Sequence, residues 1–295
     1  MSNLSMFIMQ FINGLNIGSI YALIALGYTM VYGIAKLINF AHGDIIMVGA
    51  YIAYYCISEL NAPVFLAIIA SIIGCAVLGI VIEKVAYKPL RKASRITLLI
   101  TAIGMSYFLQ SSFRLIFSSN PVTFPDFIDL PALVVGSVSV SSNYYITFAI
   151  SAILMIVLDL FVQHSKTGRA MRACSEDEGA ARLMGIDVNR TISITFAIGS
   201  ALAAVAGLLY ASSYPIVTPY LGVLPGMKAF IAAVLGGIGN IKGAVLGAFI
   251  LGMVEAMTKA YISTQLTDAI VFTVLIVMLV FKPAGILGVN RKEKV

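Results

Sequence analysis

Tyr144-Tyr145-Ile146-Thr147-Phe148-Ala149-Ile150-Ser151-Ala152-Ile153-Leu154-Met155-Ile156-Val157-Leu158-Asp159-Leu160-Phe161-Val162 decides the fold class. The run is apolar nearly all round, as is Ala269 to Phe281, whereas a membrane barrel strand would alternate apolar and polar over about ten residues. A hydrocarbon core of about 30 Å takes roughly 20 apolar residues per helical span, and several stretches reach that length. Hydrophobic residues make up 60% of the 295 and charged residues 11%, more apolar surface than a soluble core of this size could hide. The sequence predicts an all-α polytopic membrane protein with about eight transmembrane segments, broken or re-entrant helices among them. One transmembrane domain is expected over residues 1–295, with a loop at 164–190.

The net charge of +6 is not spread along one soluble face, which argues against nucleic acid as a partner. It falls in three clusters: Lys84, Lys88, Arg91, Lys92 and Arg95; Lys166, Arg169, Arg172, Arg182 and Arg190; Arg291, Lys292 and Lys294. The positive-inside rule makes all three cytoplasmic. Residues 118–143 carry no Lys or Arg, hold Asp126 and Asp129, are broken by Pro121, Pro125 and Pro131, and are expected outside. Cys56, Cys75 and Cys174 lack metal-ligand spacing, so neither disulfide nor zinc is expected. The N-terminal apolar stretch outruns a signal peptide and lacks a basic lead, so it reads as a first helix.

Spans are read near 6–33, 62–83, 96–117, 144–163, 191–213 and 264–282. Two further stretches, 39–58 and 226–258, are interrupted by glycines and polar residues. If 39–58 crosses fully the N-terminus is external, and if it re-enters the N-terminus is cytoplasmic. Parity requires 226–258 to begin and finish on the same side, as two short crossings or as a re-entrant pair hinged at Gly236-Gly237-Ile238-Gly239-Asn240. Ile17-Gly18-Ser19 recurs as Ile198-Gly199-Ser200 and Gly49-Ala50-Tyr51 as Gly247-Ala248-Phe249, a faint trace of duplication of the kind transporters carry.

Three features can carry chemistry. Asn39-Phe40-Ala41-His42-Gly43-Asp44 puts an amide, an imidazole and a carboxylate at the head of an apolar stretch. It reads as the lining of a broken helix, bent at Gly43, or as an ordinary interfacial cap. Gly236-Gly237-Ile238-Gly239-Asn240-Ile241-Lys242-Gly243 lacks the Gly-Lys-Ser/Thr and the βα setting of a phosphate loop. A cavity-lining helix break and a plain turn both explain it. Cys174 to Arg190 reads as a short helix: Ser175 and Glu178 form a capping box, Glu176 and Asp177 complement the dipole, Glu178 can pair with Arg182, and Gly185 ends it. Ala180, Ala181, Leu183 and Met184 give it an apolar face, for a partner or for the bundle and membrane beside it.

The Asn39–Asp44 motif, Gly168-Arg169-Ala170-Met171-Arg172-Ala173-Cys174 running into Glu176 to Ile186, Lys228 to Gly239, and Lys282-Pro283-Ala284-Gly285-Ile286-Leu287-Gly288 together resemble the LivH-type permease of branched-chain amino acid ABC importers, over essentially the whole chain. The resemblance implies a bacterial inner-membrane subunit partnered by a LivM-type second permease, two cytoplasmic ATPases and a periplasmic amino-acid-binding protein. It further implies that ATP and Mg are used by the ATPases and that this chain binds no cofactor. Glu176, Asp177, Glu178, Ala180, Ala181, Arg182, Leu183 and Gly185 then correspond to the helix that couples to an ATPase. Asn39, His42, Gly43, Asp44, Gly236, Gly237, Gly239 and Asn240 are expected on the substrate path, from their polarity and helix breaks. Leucine, isoleucine and valine are the implied cargo, and related permeases carry urea, short amides or other amino acids. A stand-alone ion-coupled carrier would instead use His42, Asp44, Asp159 or Glu255. No His-Glu-x-x-His, Gly-x-Ser-x-Gly or paired intramembrane carboxylate points to an enzyme.

Overall fold

A computed structural model describes residues 3–91, 93–126, 130–135 and 138–288. Lys92, Asp129, Arg291, Lys292 and Lys294, named above as charge markers, lie outside the described residues.

The chain is helical almost throughout: α1 (Asn3–Ala35), α2 (His42–Tyr54), α3 (Val64–Ile82), α4 (Arg95–Phe117), α5 (Ser142–His164), α6 (Lys166–Glu176), α7 (Glu178–Leu183), α8 (Val188–Ser213), α9 (Val223–Gly236), α10 (Ile241–Tyr261) and α11 (Thr267–Phe281). Among the described residues six helices are long and apolar enough to cross a membrane: α1, α3 with its extension to Leu90, α4, α5, α8 and α10. The stretch 264–282 forms only the 15-residue α11, about 22 Å long, because a turn after Tyr261 delays its start and Pro283 follows its end. The stretch 226–258 is a hinged pair in which α10, at 21 residues, is a full span and α9, at 14, is a short helix.

The described residues of the first two basic clusters mark one end of the bundle. Arg91 donates from Nη1 to the Asn189 side-chain oxygen at 2.8 Å, so α3 ends where α8 begins. The end of α1 shares a groove there with Ser175 of α6 and the Gly239-Asn240 turn. At the opposite end, β1 (Val122–Thr123), which follows α4, pairs with β4 (Ile216–Val217), which follows α8, and β2 (Leu133–Val135) pairs with β3 (Val138–Val140). Tyr51 on α2 stacks on Phe117 at the close of α4. Residues 39–58 therefore run from the basic end to the far end, and α1 starts at the far end. The positive-inside rule, applied to the basic end, would put the start of α1 on the external side.

These directions expose an inverted repeat. Helices α1 to α4 follow a long, short, long, long order, and α8 to α11 retrace it upside down with a shorter last member. The α1–α10 and α8–α3 contacts correspond: a Cβ on Gly252 of α10 would overlap the Gly18 backbone, and one on Gly79 of α3 would overlap Ser200. Ile17-Gly18-Ser19 and Ile198-Gly199-Ser200 sit on the equivalent helices α1 and α8, so this echo follows the repeat. The Gly49 and Gly247 echo joins α2 to α10, which are not equivalent, and lies outside it. In lipid, where apolar burial between helices is weak, such small-residue contacts supply packing by letting backbones approach.

Candidate translocation path and docking helix

The short helices α2 and α9 begin against one another inside the bundle. Gly43 and Gly222 face each other so closely that a Cβ at Gly43 would lie 2.8 Å from the Gly222 carbonyl oxygen, and one at Gly226 would lie 2.7 Å from the Gly43 Cα. Two helix N-termini, each a source of unpaired N–H groups and positive dipole, thus converge in the interior, an arrangement that discontinuous helices give transporters.

The motif leading into α2 is buried, not interfacial. Asn39 accepts a hydrogen bond from the Tyr87 hydroxyl at 2.8 Å. The His42 ring packs edge-on against Tyr28, centroids 4.7 Å apart, and Tyr28 leans on Phe230 of α9 in the same way. Asp44 accepts from the Gln110 amide at 2.9 Å, and that amide also donates to Ser106 at 3.0 Å. The Asn39 Nδ2 and His42 Nε2 atoms are buried without a hydrogen-bond partner, so the site keeps polar capacity that its own walls do not consume. Tyr28, Tyr87 and Gln110 were not read from the sequence. Their signal was a polar tip inside an apolar span, which marks many residues and names no partner.

The glycine run is a turn held by the chain's own tail. Gly237 (φ 107°) and Gly239 (φ 94°) adopt left-handed backbone. Asn240 caps α10 by accepting from Gly243 N–H at 3.2 Å and donates from Nδ2 to the Leu287 carbonyl at 2.9 Å. Ile286 and Leu287 N–H donate to the Leu235 and Gly236 carbonyls at 2.8 and 2.9 Å, satisfying the end of α9. The Lys282–Gly288 motif therefore clasps the Gly236–Asn240 motif, a pairing between distant segments that the sequence did not reveal. Gly236, Gly237 and Asn240 are engaged with this tail, and Gly239 lies beside Gly33. A Cβ on Gly237 would meet Gly288 N at 2.6 Å. Gly237→Ala is expected to cost about 2 kcal/mol through left-handed strain and this collision, read as lost thermal stability of the purified permease.

At the basic end, α7 corrects the predicted cap. Asp177, not Ser175, caps it, accepting from Gly179 and Ala180 N–H at 2.7 and 2.9 Å. Ser175 lies in the last turn of α6 and donates to the Arg172 carbonyl at 2.7 Å. Glu176 closes α6, so the predicted rod over 176–184 is two helices joined at Asp177. Asp177 wins because its backbone is extended (φ −153°, ψ 113°), the geometry a cap needs. Glu178 pairs with Arg182 at 3.9 Å, and Gly185 (φ 80°) ends the helix. The expected single apolar face is split. Ala181 is buried and Ala180 exposed, while Leu183 is 90% and Met184 82% exposed. A groove of about 540 Å³ runs between α7 and the α3 extension, walled by Glu178, Gly179 and Arg182 on one side and by Lys88, Pro89, Arg91 and Asn189 on the other. Glu83 accepts from Arg91 and, at 2.6 Å, from Ser193 Oγ, tying the α3 extension to α8. Burial raises the pKa of the Cys174 thiol in α6, which suits a packing residue rather than a nucleophile.

Residues 10–279 match the family model described as branched-chain amino acid transport system, permease component. The chain belongs to this family. Among its relatives, the High-affinity branched-chain amino acid transport system permease protein LivH of Escherichia coli (strain K12) is 44% identical over 98% of both chains. The corresponding protein BraD of Pseudomonas aeruginosa is also 44% identical over 98% of both. The Probable branched-chain amino acid transport permease protein LivH of Methanocaldococcus jannaschii is 29% identical over 93% of this chain and 90% of its own. The chain is thus a multi-pass transport permease of an ABC importer rather than an enzyme.

Proposed function

We propose that this permease forms half of a pore that imports leucine, isoleucine or valine across a bacterial inner membrane. A LivM-type second permease supplies the other half, a periplasmic binding protein delivers the solute, and two ATPases, which hold the ATP and Mg, drive the cycle. The supporting observation is α7. It is a capped, anchored helix at the basic end that turns the large apolar side chains of Leu183 and Met184 to water and walls a groove with Glu178, Gly179 and Arg182, a surface that an ATPase would cover. Asn39, His42, Gly43 and Asp44 are assigned to the substrate path, since they surround the meeting of α2 and α9, where few dipoles beside apolar walls suffice for a zwitterion. Gly239 and Asn240 are assigned to its cytoplasmic exit, with Gly236 and Gly237 shaping the turn that carries them. Motion of the ATPases would tilt the spans through α7 and open the pore alternately to each side.

Affinity purification of the permease in mild detergent is expected to bring down a second permease and ATPases. Recovery of the chain alone, with uptake by that single chain in liposomes lacking ATP, would replace this reading with an ion-coupled carrier.

A further inference from the structure

Near the far end, between α1, α8, α9, α10 and the start of α11, lies a cavity of about 240 Å³. That is small beside the roughly 300–1,000 Å³ of drug-sized pockets, and suits one compact solute. Its composition is unusual for a membrane protein. Lys228 on α9 donates to Glu255 at 3.0 Å and to Asp268 at 2.8 Å, Lys259 donates to Glu255 at 2.6 Å, and the Tyr21 hydroxyl donates to the other Glu255 oxygen at 2.8 Å. Two ammonium and two carboxylate groups thus sit together in a cavity whose apolar lining is Ile17, Ile20, Leu224 and Pro225.

Burying such charges is costly. Lys228 is 6% exposed and Glu255 2%, and apolar side chains of similar size are often as stable or more so than a buried pair. Ionisable groups at such positions mark solute paths by default. The charges are also graded in depth. The Lys228 and Glu255 side chains are sealed, whereas those of Lys259 and Asp268 are 36% and 50% exposed. An entering molecule therefore meets one exposed cation and one exposed anion first, each already bonded to the buried partner of opposite sign.

The geometry points to an outer binding site for a zwitterionic α-amino acid with an apolar side chain. Its carboxylate exchanges onto the Lys259 and Lys228 ammonium groups, its ammonium onto Asp268 and Glu255, and its side chain lies on the Ile17, Ile20 and Leu224 wall. Net charge in the cavity stays zero, so loading creates no unpaired buried ion, whereas a solute with one charge would leave one behind. Because Lys228 is on α9, whose start abuts α2, occupancy is felt where the two short helices meet. The inference deepens the assignment of this permease as an amino acid importer and rests on it.

The test uses the complete importer in lipid nanodiscs, without its binding protein, carrying Thr264→Cys at the cavity mouth and Cys56→Ala. The label is a membrane-impermeant maleimide, read on this chain. L-Leucine at about twice its Kd is expected to slow labelling about threefold by occupancy. Leucinamide, which lacks the carboxylate, and 4-methylpentanoate, which lacks the ammonium, are expected to leave the rate unchanged at the same concentration. Asp268→Asn is expected to abolish the leucine effect while Thr264→Cys still reacts. No slowing by leucine, or equal slowing by all three compounds, would overturn the site. Leucine uptake by the same complex with its binding protein reads the importer assignment separately. Uptake without protection rejects the cavity alone, and protection without uptake keeps the cavity and rejects the importer.

Discussion

Replacing Leu183 and Met184 together by Asp is expected to lower ATP-driven uptake about 100-fold without unfolding the permease. Both side chains project into solvent from the end of α7, so the substitution removes no internal packing, and the bundle should keep its melting temperature. In the assembled importer they would be buried. Apolar side chains that an interface buries commonly cost more than about 1 kcal/mol each when lost, and a combined loss of about 3 kcal/mol, about 1.5 for each of the two, is two orders of magnitude in occupancy. Two readouts check this: ATPase recovered on the purified permease, and uptake by proteoliposomes. Ala181, which the sequence places on the same apolar face, does not serve for such a test, because it is buried and Ala181→Arg would damage the permease's own fold.

Gly222→Ala is expected to cost about 3 kcal/mol, a fall in melting temperature of roughly 6 °C or more. The Gly222 backbone, at φ −83° and ψ −11°, is one that alanine adopts freely, so contact rather than conformation decides the outcome. A Cβ there would collide with the Gly43 carbonyl and approach Met47 N at 3.4 Å. Those atoms belong to the backbone of α2, which cannot move without carrying His42 and Asp44 with it. Gly104 supplies the control. It lies within α4, a Cβ there meets nothing within 4 Å, and Gly104→Ala is expected to be neutral or to stabilise by about 0.5–1 kcal/mol. Thermal unfolding of the two variants in the same detergent checks the contrast.

Much of this architecture was legible in the sequence, because composition and charge report on solvent directly. An apolar run such as 144–162 has no stable place but lipid, and the described arginines and lysines of the first two clusters gather at one end of the bundle. The interrupted stretches 39–58 and 226–258 were correctly singled out, since glycine and polar residues break the period that marks a simple span. The span read at 264–282 runs from the far end to the basic end, but its helix is shorter than the apolar stretch, because hydropathy does not record where a helix begins and the turn at 262–266 consumes its first residues. The Ser175 cap failed for a similar reason: Ser-x-x-Glu is satisfied by residue types alone, whereas a cap depends on which residue is extended, and α6 continues through Ser175. The contacts that build the sites were illegible in principle. Tyr87 meets Asn39 across 48 positions and Tyr21 meets Glu255 across 234. A single sequence gives such residues no mark of each other.

The proposal that α7 receives work from a separate ATPase on the cytoplasmic face is tested most directly by labelling Met184→Cys from each side of sealed, oriented vesicles. The account predicts reaction with an impermeant maleimide only from the cytoplasmic face, and suppression of that reaction when the ATPases are bound. Reaction from the periplasmic face, or an undiminished rate with the ATPases present, would contradict it.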